Sequence, residues 1–157
     1  MVREAHARGI AVEAELGEVG GKDGVHAPGA RTDPAEAARF VADTGIDALA
    51  VAVGSSHAMT ERTAKLDLDL IGRLREAVSV PLVLHGSSGV SDAEMGNAIR
   101  AGMVKINIST HLNKVMSEAL RTYLADNPQV VDPRKYLGAS RDALQAEAER
   151  LFTVLTS

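Results

Sequence analysis

Two histidines follow neighbouring apolar, strand-like runs of the chain. His57 comes three residues after the run at residues 47–54, and His85 lies near the end of the run at residues 81–86. Neighbouring parallel strands lie about 4.8 Å apart, so imidazoles at their carboxyl ends could converge on one metal ion. Neutral imidazole is a good zinc ligand, and the pattern is therefore compatible with a zinc site. Two histidines that only form hydrogen bonds within their loops fit the pattern equally well.

Two carboxylates share one face of the first strand-like run, at residues 10–17. Glu13 and Glu15 are two residues apart, and the side chains of a strand alternate between its faces. A buried carboxylate must be paired or bound to a metal, so Glu15 is expected either near the metal or in a salt bridge of the core. The chain has no cysteine, which excludes disulfides and zinc–thiolate sites. Any metal must therefore be held by histidines and carboxylates.

Two turns rich in serine or polar residues follow the third and fourth runs. HGSSGV begins at His85 and precedes a helix near Ser91, and NIST at residues 107–110 leads into the next helix. Helix N-termini carry unpaired N–H groups and the positive end of the helix dipole, so both turns could bind phosphate. Ser87 and Ser88 would add hydroxyl groups. An ordinary turn explains either segment alone, but the two together, at these positions, favour phosphate binding.

Alternating strands and helices must position these side chains. Strands are predicted at residues 10–17, 47–54, 81–86 and 104–109. Helices are predicted at residues 34–44, from about 66 to before Pro81, from Ser91 to Gly102, and at about residues 111–125 and 139–155. Repeated βα units imply a parallel sheet with right-handed crossovers. The lack of GxGxxG after the first strand argues against a Rossmann fold.

The polar residues at the strand ends favour a TIM (β/α)8 barrel, because barrels build their active sites on that face. Four predicted strands are half of the eight that a barrel needs. We therefore predict an α/β fold, a partial TIM barrel that contains the last four βα units plus C-terminal helices. Residues 1–157 would form a single incomplete barrel domain.

Composition and charge narrow the classes of function. The chain has 157 residues, of which 45% are hydrophobic and 24% are charged, as in one globular domain. Seventeen basic and 21 acidic residues give a net charge of −4, and without a basic block neither a nucleic acid nor an anionic membrane is expected as a partner. No stretch approaches the roughly 20 apolar residues of a membrane span, and no leader is expected. A cytoplasmic location fits these features.

Four motifs resemble one enzyme family across nearly the whole chain. They are VEAELGEVGG, AVAVGSSHAMT, LVLHGSSGV and VKINIST, and the segment KYLG follows at residues 135–138. In this order and spacing they resemble the class II, zinc-dependent fructose-bisphosphate and tagatose-bisphosphate aldolases. The resemblance implies reversible aldol cleavage of a ketose 1,6-bisphosphate to dihydroxyacetone phosphate and an aldehyde. It leaves open whether the sugar is fructose, tagatose or another ketose.

The resemblance also implies roles for particular residues. His57 and His85 match two of the family's three zinc-binding histidines, and Glu15 matches a carboxylate near the metal. The candidate catalytic carboxylate is Asp23, in a loop that resembles the family's mobile active-site loop. A monovalent cation near the phosphate loops is a further possible cofactor. The residues that match the phosphate loops are Gly86, Ser88, Asn107, Ile108, Ser109 and Thr110.

Three departures from the family pattern affect the expected activity. Ala58 and Ser87 stand where the family usually has glycine. The family's Asp-His pair, which supplies the acid/base and the third zinc ligand, is expected upstream of residue 1. We therefore expect weak zinc binding and little or no activity from this chain alone. The resemblance also implies a glycolytic role in carbohydrate metabolism.

Three interpretations of the chain remain at this point. It is the C-terminal half of an aldolase, a non-catalytic phosphosugar-binding or partner-regulating half-barrel, or a structural relic that pairs its sheet edges with another chain. Unpaired strand edges promote association, so we expect a homo-oligomer. A small phosphosugar is the expected ligand.

Overall fold

The computed structural model describes residues 1–17 and 30–156. Its strands are Glu13–Leu16 (β1), Ala48–Val51 (β2), Leu82–Leu84 (β3) and Met103–Ile106 (β4). Its helices are Val2–His6 (α1), Pro34–Thr44 (α2), Leu68–Ala77 (α3), Asp92–Ala101 (α4), Thr110–Asp126 (α5) and Pro133–Leu155 (α6), with a short 3₁₀ helix at Ser87–Gly89. In this part of the chain, no helix has both the length and the apolar character needed to cross a membrane.

The sheet has the predicted parallel topology. Its strands are arranged in the order β1-β2-β3-β4, and each pairs in parallel with the next strand along the chain. All four strands are shorter than the predicted runs. The strand β1 begins at Glu13 and not at residue 10, whereas β2, β3 and β4 end two or three residues before the predicted runs do. The α/β fold with four parallel strands and flanking helices is therefore confirmed.

Local capping signals explain where the helices begin. Asp33 accepts a hydrogen bond from the Glu36 backbone at 2.9 Å at the start of α2, and Ser91 accepts one from the Glu94 backbone at 3.2 Å at the start of α4; both are predicted caps. The last helix begins at Pro133, six residues before the predicted start. The missed signal is Asp132, whose side chain accepts from the Arg134 backbone.

The hydrophobic core lies between the sheet and the helices. Because strand side chains alternate, one face of the sheet supplies large apolar residues to this core. Helix residues complete it, including Leu70, Ile71 and Leu74 of α3 and Met95 of α4. The sheet residues that belong to this cluster include Leu49, Val51, Leu82, Leu84 and Met103.

The opposite face of the sheet is charged and curved. A row of paired residues crosses it from Glu15 through Ala50 and Val83 to Lys105. The Lys105 Nζ atom donates to Glu13 Oε2 at 2.7 Å, although β4 and β1 are the outermost strands. Three strand spacings of a flat sheet would be roughly 14 Å, so this contact indicates a sheet that bends around the face. We call these five residues the concave face.

Candidate metal and phosphate site

A cavity of about 290 Å³ opens at the carboxyl ends of the strands. Residues from β1 and from the loops after β2, β3 and β4 line it, and they include most of the residues singled out by sequence. Two predicted site residues are not in this set: Ile108 packs against the hydrophobic core, and Asp23 lies outside the described residues. The lining consists of Glu15, His57, Ala58, His85, Gly86, Ser87, Ser88, Asn107, Ser109 and Thr110.

Three potential metal ligands meet in this cavity. One ligand atom from each of Glu15, His57 and His85 can be chosen so that all three lie within 4.8 Å of one another. The two imidazole rings are 5.9 Å apart between centroids and are tilted by 59°. Two imidazole nitrogens and a carboxylate oxygen are a donor set that zinc accepts. The side chains present therefore fit a zinc ion.

His85 makes a polar contact at each nitrogen of its ring. Nδ1 lies 2.5 Å from Glu15 Oε2, and Nε2 lies 3.0 Å from Glu13 Oε1. The second oxygen of Glu13 accepts from Lys105. Partial burial alone would raise the pKa of Glu13, but hydrogen bonds from Lys105 and His85 bring the pKa below its ordinary value. Glu15 thus contacts the His85 ring and is also adjacent to the candidate metal position.

A glycine allows the loops of the two histidines to approach each other. Gly86 has φ 64°, and a Cβ atom there would lie 2.6 Å from the carbonyl carbon of Ser56. Such a distance excludes a side chain at this position without a shift of the backbone. Ser55 strengthens the contact, since its hydroxyl donates to the His85 carbonyl oxygen at 2.6 Å. The backbone therefore sets the distance between the two histidines.

Ala58 adopts a backbone conformation that favours glycine. It follows His57 directly and has φ 59°, the only positive φ of a residue other than glycine among the described residues. A left-handed conformation costs an L-residue about 1 kcal/mol. The family's usual glycine would adopt it without this cost. The chain thus keeps the turn at the edge of the cavity in spite of the substitution.

Ser87 connects the two candidate phosphate loops. It is buried, and its hydroxyl donates to the carbonyl oxygens of Asn107, at 2.8 Å, and Leu84, at 3.1 Å. The hydroxyl hydrogen is thereby directed to the backbone. Contrary to the sequence-based expectation, this side chain joins the loops and does not offer a donor to a phosphate.

Ser88 lies at the N-terminus of α5. Its Oγ atom accepts from the backbone N–H of His111 at 3.0 Å, and Ser109 is the residue that precedes the helix. The 17-residue helix directs the positive end of its dipole toward the cavity wall formed by Ser88, Ser109 and Thr110. These groups can bind an anion such as a phosphate.

A chain of ion pairs connects the loops of the site on their outer side. Arg62, in the loop that follows His57, contacts Asp92 at the start of α4 at 2.5 Å. Arg150 of α6 contacts the same Asp92 and also Glu147, at 2.5 and 2.7 Å. Glu147 in turn lies 2.6 Å from His111 Nε2. Sequence analysis missed this network, because its members are far apart in the chain.

The network changes the pKa of its carboxylates. The hydrogen bond from Arg150 outweighs the opposing effect of burial and, with His111, lowers the pKa of Glu147 from 4.5 to about 2. The pKa of Asp92 is also lowered, first by Arg150 and then by Arg62. Both carboxylates are therefore ionised at neutral pH, and they hold α6 against α4 and the start of α5.

Comparison with known proteins identifies the family. The family model described as class-II fructose-bisphosphate aldolase matches residues 1–157. The crystal structure of the YdjI aldolase from Escherichia coli K12 is 38% identical and has a TM-score of 0.82, covering 98% of this chain and 52% of that one. This match at the level of sequence and fold extends over nearly every residue of the chain.

Two further solved structures are similar. A putative fructose-1,6-bisphosphate aldolase from Coccidioides immitis is 31% identical, with a TM-score of 0.80 over 99% of this chain and 55% of that one. A fructose-bisphosphate aldolase from Campylobacter jejuni is 23% identical, with a TM-score of 0.79 over 99% of this chain and 54% of that one; at this identity it supports the fold alone. The chain spans about half the length of these structures, consistent with a partial TIM barrel. The chain belongs to the class II fructose-bisphosphate aldolase family.

Proposed function

We propose that this chain supplies the zinc- and phosphate-binding part of a class II ketose-bisphosphate aldolase. The observation that carries the proposal is one cavity in which a possible metal triad faces the N-terminus of α5. The reaction is the reversible cleavage of fructose 1,6-bisphosphate, or a related ketose bisphosphate, to dihydroxyacetone phosphate and an aldehyde. Family membership supports this chemistry, and the residues of the cavity support the division of roles.

Glu15, His57 and His85 would hold the zinc ion. When bound, zinc supplies a Lewis acid that polarises the ketose carbonyl group. Ser88, Ser109 and Thr110, with the dipole of α5, bind one phosphate of the substrate. Asn107, which lines the same cavity, would contact the triose part of the substrate. Fixing the phosphate in this way orients the carbon skeleton toward the metal side of the cavity, and such orientation lowers the barrier.

Aldol cleavage also needs a general acid/base that transfers a proton. The 157 residues contain no Asp-His pair, which the family uses for proton transfer and as a zinc ligand. Asp23, outside the described residues, is our candidate for a further catalytic carboxylate. We infer that this chain by itself binds zinc weakly and cleaves substrate slowly or not at all. It would act as one incomplete barrel domain and would associate with further copies.

A non-catalytic role in phosphosugar binding is the second candidate. It is favoured by the groups at the N-terminus of α5, which can bind a phosphate without a metal. The two candidates differ in their dependence on zinc. Aldolase function requires that zinc and phosphosugar bind to one cavity, whereas a binding module would take the phosphosugar without metal.

Calorimetric titration of the 157-residue protein distinguishes the candidates. We expect zinc to bind with one site per chain and to strengthen the binding of dihydroxyacetone phosphate. Binding of dihydroxyacetone phosphate that is equal with zinc and with a chelator would support the non-catalytic role. If neither zinc nor dihydroxyacetone phosphate binds, the proposed function is wrong. An assay with fructose 1,6-bisphosphate and tagatose 1,6-bisphosphate then measures any residual cleavage.

A further inference from the structure

The ring of His85 lies between two carboxylates that have different surroundings. On the Nδ1 side is Glu15, which lines the cavity and belongs to the triad with His57. On the Nε2 side is Glu13, which belongs neither to the lining nor to the triad. The two nitrogens of this imidazole therefore contact different carboxylates, and of these only Glu15 belongs to the triad.

Glu13 is itself fixed from the far side of the sheet. Its Oε2 atom accepts from Lys105 Nζ at 2.7 Å, and its Oε1 atom lies 3.0 Å from His85 Nε2. The Glu13 side chain is only 26% exposed, whereas that of Lys105 is 55% exposed. A chain of three groups therefore runs from lysine to carboxylate to imidazole, from β4 across the concave face to the end of β3.

We propose that Glu13 and Lys105 are a positioning pair that holds His85 with its Nε2–H toward Glu13, so that Nδ1 is the nitrogen presented to the metal. A metal-bound histidine commonly donates its second ring N–H to a carboxylate, which fixes the tautomer and the ring orientation. Here Lys105 in turn fixes the carboxylate. The inference rests on the proposed function only in assuming that zinc binds at this triad.

NMR spectroscopy identifies which ring nitrogen of His85 binds the metal. The zinc-loaded, 15N-labelled protein is examined through the two-bond couplings between ring protons and nitrogens, with His85→Asn used to assign the signals. We expect the Nδ1 resonance of His85 to have the shift of a metal-bound nitrogen and Nε2 to carry a proton. A metal-bound Nε2 atom would overturn the proposal, because Glu13 could then not accept from it.

Variants test the two members of the pair. Outer partners of metal ligands typically change metal affinity by about 10- to 100-fold, and we expect losses in this range for Glu13→Ala. Glu13→Gln keeps an acceptor for Nε2–H but loses the ion pair, so a smaller loss is expected. Lys105→Met should lower zinc affinity by at least about threefold, which is less than the effect of Glu13→Ala because Lys105 acts through Glu13.

The control is Lys135→Met, which removes the same charge from an exposed position of α6. Circular dichroism establishes that each variant is folded, and zinc affinity is measured by competition with a chromophoric chelator. Unchanged affinity in both Glu13→Ala and Lys105→Met would refute the pair while leaving the proposed function intact. Failure of the unaltered protein to bind zinc would instead refute the proposed function.

Discussion

The hydroxyl of Ser87 donates to the carbonyl oxygen of Asn107 at 2.8 Å, and this bond joins the loop after β3 to the end of β4. This hydrogen bond forms between two groups of the protein itself, without a ligand. The two segments that would hold a phosphate are therefore fixed relative to each other before a ligand binds. Preorganisation of this kind reduces the entropy lost on binding.

Ser87→Ala tests this connection. The Asn107 and Leu84 carbonyl oxygens lose a buried donor, and we expect the free energy of unfolding to fall by about 1–2 kcal/mol. Binding of dihydroxyacetone phosphate should weaken as well, because the second loop is no longer held. Urea unfolding and calorimetry measure the two effects. Ser79→Ala, at an exposed site, should change neither; equal behaviour of the two variants would contradict the expected role of Ser87.

Removal of a triad side chain should weaken zinc binding. We expect His57→Ala and His85→Ala each to lower zinc affinity by at least about tenfold, because each deletes a direct ligand. Glu15→Gln should have a smaller effect, since the amide oxygen remains. Competition with a chelator gives the affinities. His6→Ala, on α1 beside Asp47, is the control, and an equal loss there would show that the metal binds elsewhere.

Gly86→Ala should disrupt the site through the backbone. The added Cβ would lie 2.6 Å from the Ser56 carbonyl carbon at a positive φ, so the loops must separate. We expect a loss of roughly 2 kcal/mol or more in unfolding free energy together with loss of zinc binding. Gly72→Ala is the matched control, because its Cβ meets no atom within 4 Å in helix α3. That variant should be more stable than the unaltered protein, by up to about 1 kcal/mol.

Ala58→Gly should be tolerated or should stabilise the protein. Glycine relieves the cost of φ 59° but increases the conformational freedom of the unfolded chain. The two effects leave a net change between zero and a gain of about 1 kcal/mol. Ala146→Gly, at an exposed position inside α6, should instead lose about 1 kcal/mol. Unfolding in urea gives the stability of both variants. If Ala58→Gly loses as much free energy of unfolding as Ala146→Gly, the left-handed conformation of residue 58 is contradicted.

The stabilising effect of Glu147 should depend on pH. Its pKa is lowered to about 2 in the folded protein, so its contribution is full above the ordinary value of about 4.5 and declines as the pH falls toward 2. Glu147→Gln should therefore cost on the order of 2 kcal/mol at pH 7 and much less near pH 2. Unfolding in urea at pH 7, 4 and 2.5 measures the difference.

The control for this dependence is Glu149→Gln. Glu149 accepts from Gln145 on the same helix, and its replacement leaves the contacts of Glu147 with Arg150 and His111 in place. If the cost of Glu147→Gln is the same at pH 7 and at pH 2.5, the contacts with Arg150 and His111 do not stabilise the folded state.

Local signals made much of the fold predictable. The caps at Asp33 and Ser91, and the nearly continuous apolar runs that became β2 and β3, are readable because each depends on residues close in sequence. The positions of His57 and His85 were also predictable, since parallel strands bring their carboxyl ends to one edge. The strands were predicted to be too long, because the hydrophobic pattern alone does not mark where the backbone enters or leaves the hydrogen-bonded ladder.

Contacts between distant residues could not be predicted. Neither the role of Ser87 as a connection between loops nor the network around Glu147 has a sequence signature, because each depends on which side chains the fold brings together. The same is true of Lys105, which lies 92 positions after Glu13. A lysine in an apolar strand could only be recognised as unusual, and its partner becomes evident from the curvature of the sheet.

Lys105 and Glu13 belong to the two outermost strands, so their ion pair spans the sheet from one edge to the other. If a protein chain paired with the outer edge of β1 or β4 and shifted either strand, it would also shift the bond that we propose orients His85. Thermodynamic linkage then requires that edge association and metal binding change each other's equilibrium constant by the same factor. We expect the oligomeric state of this chain to respond to zinc, and its zinc affinity to vary with protein concentration.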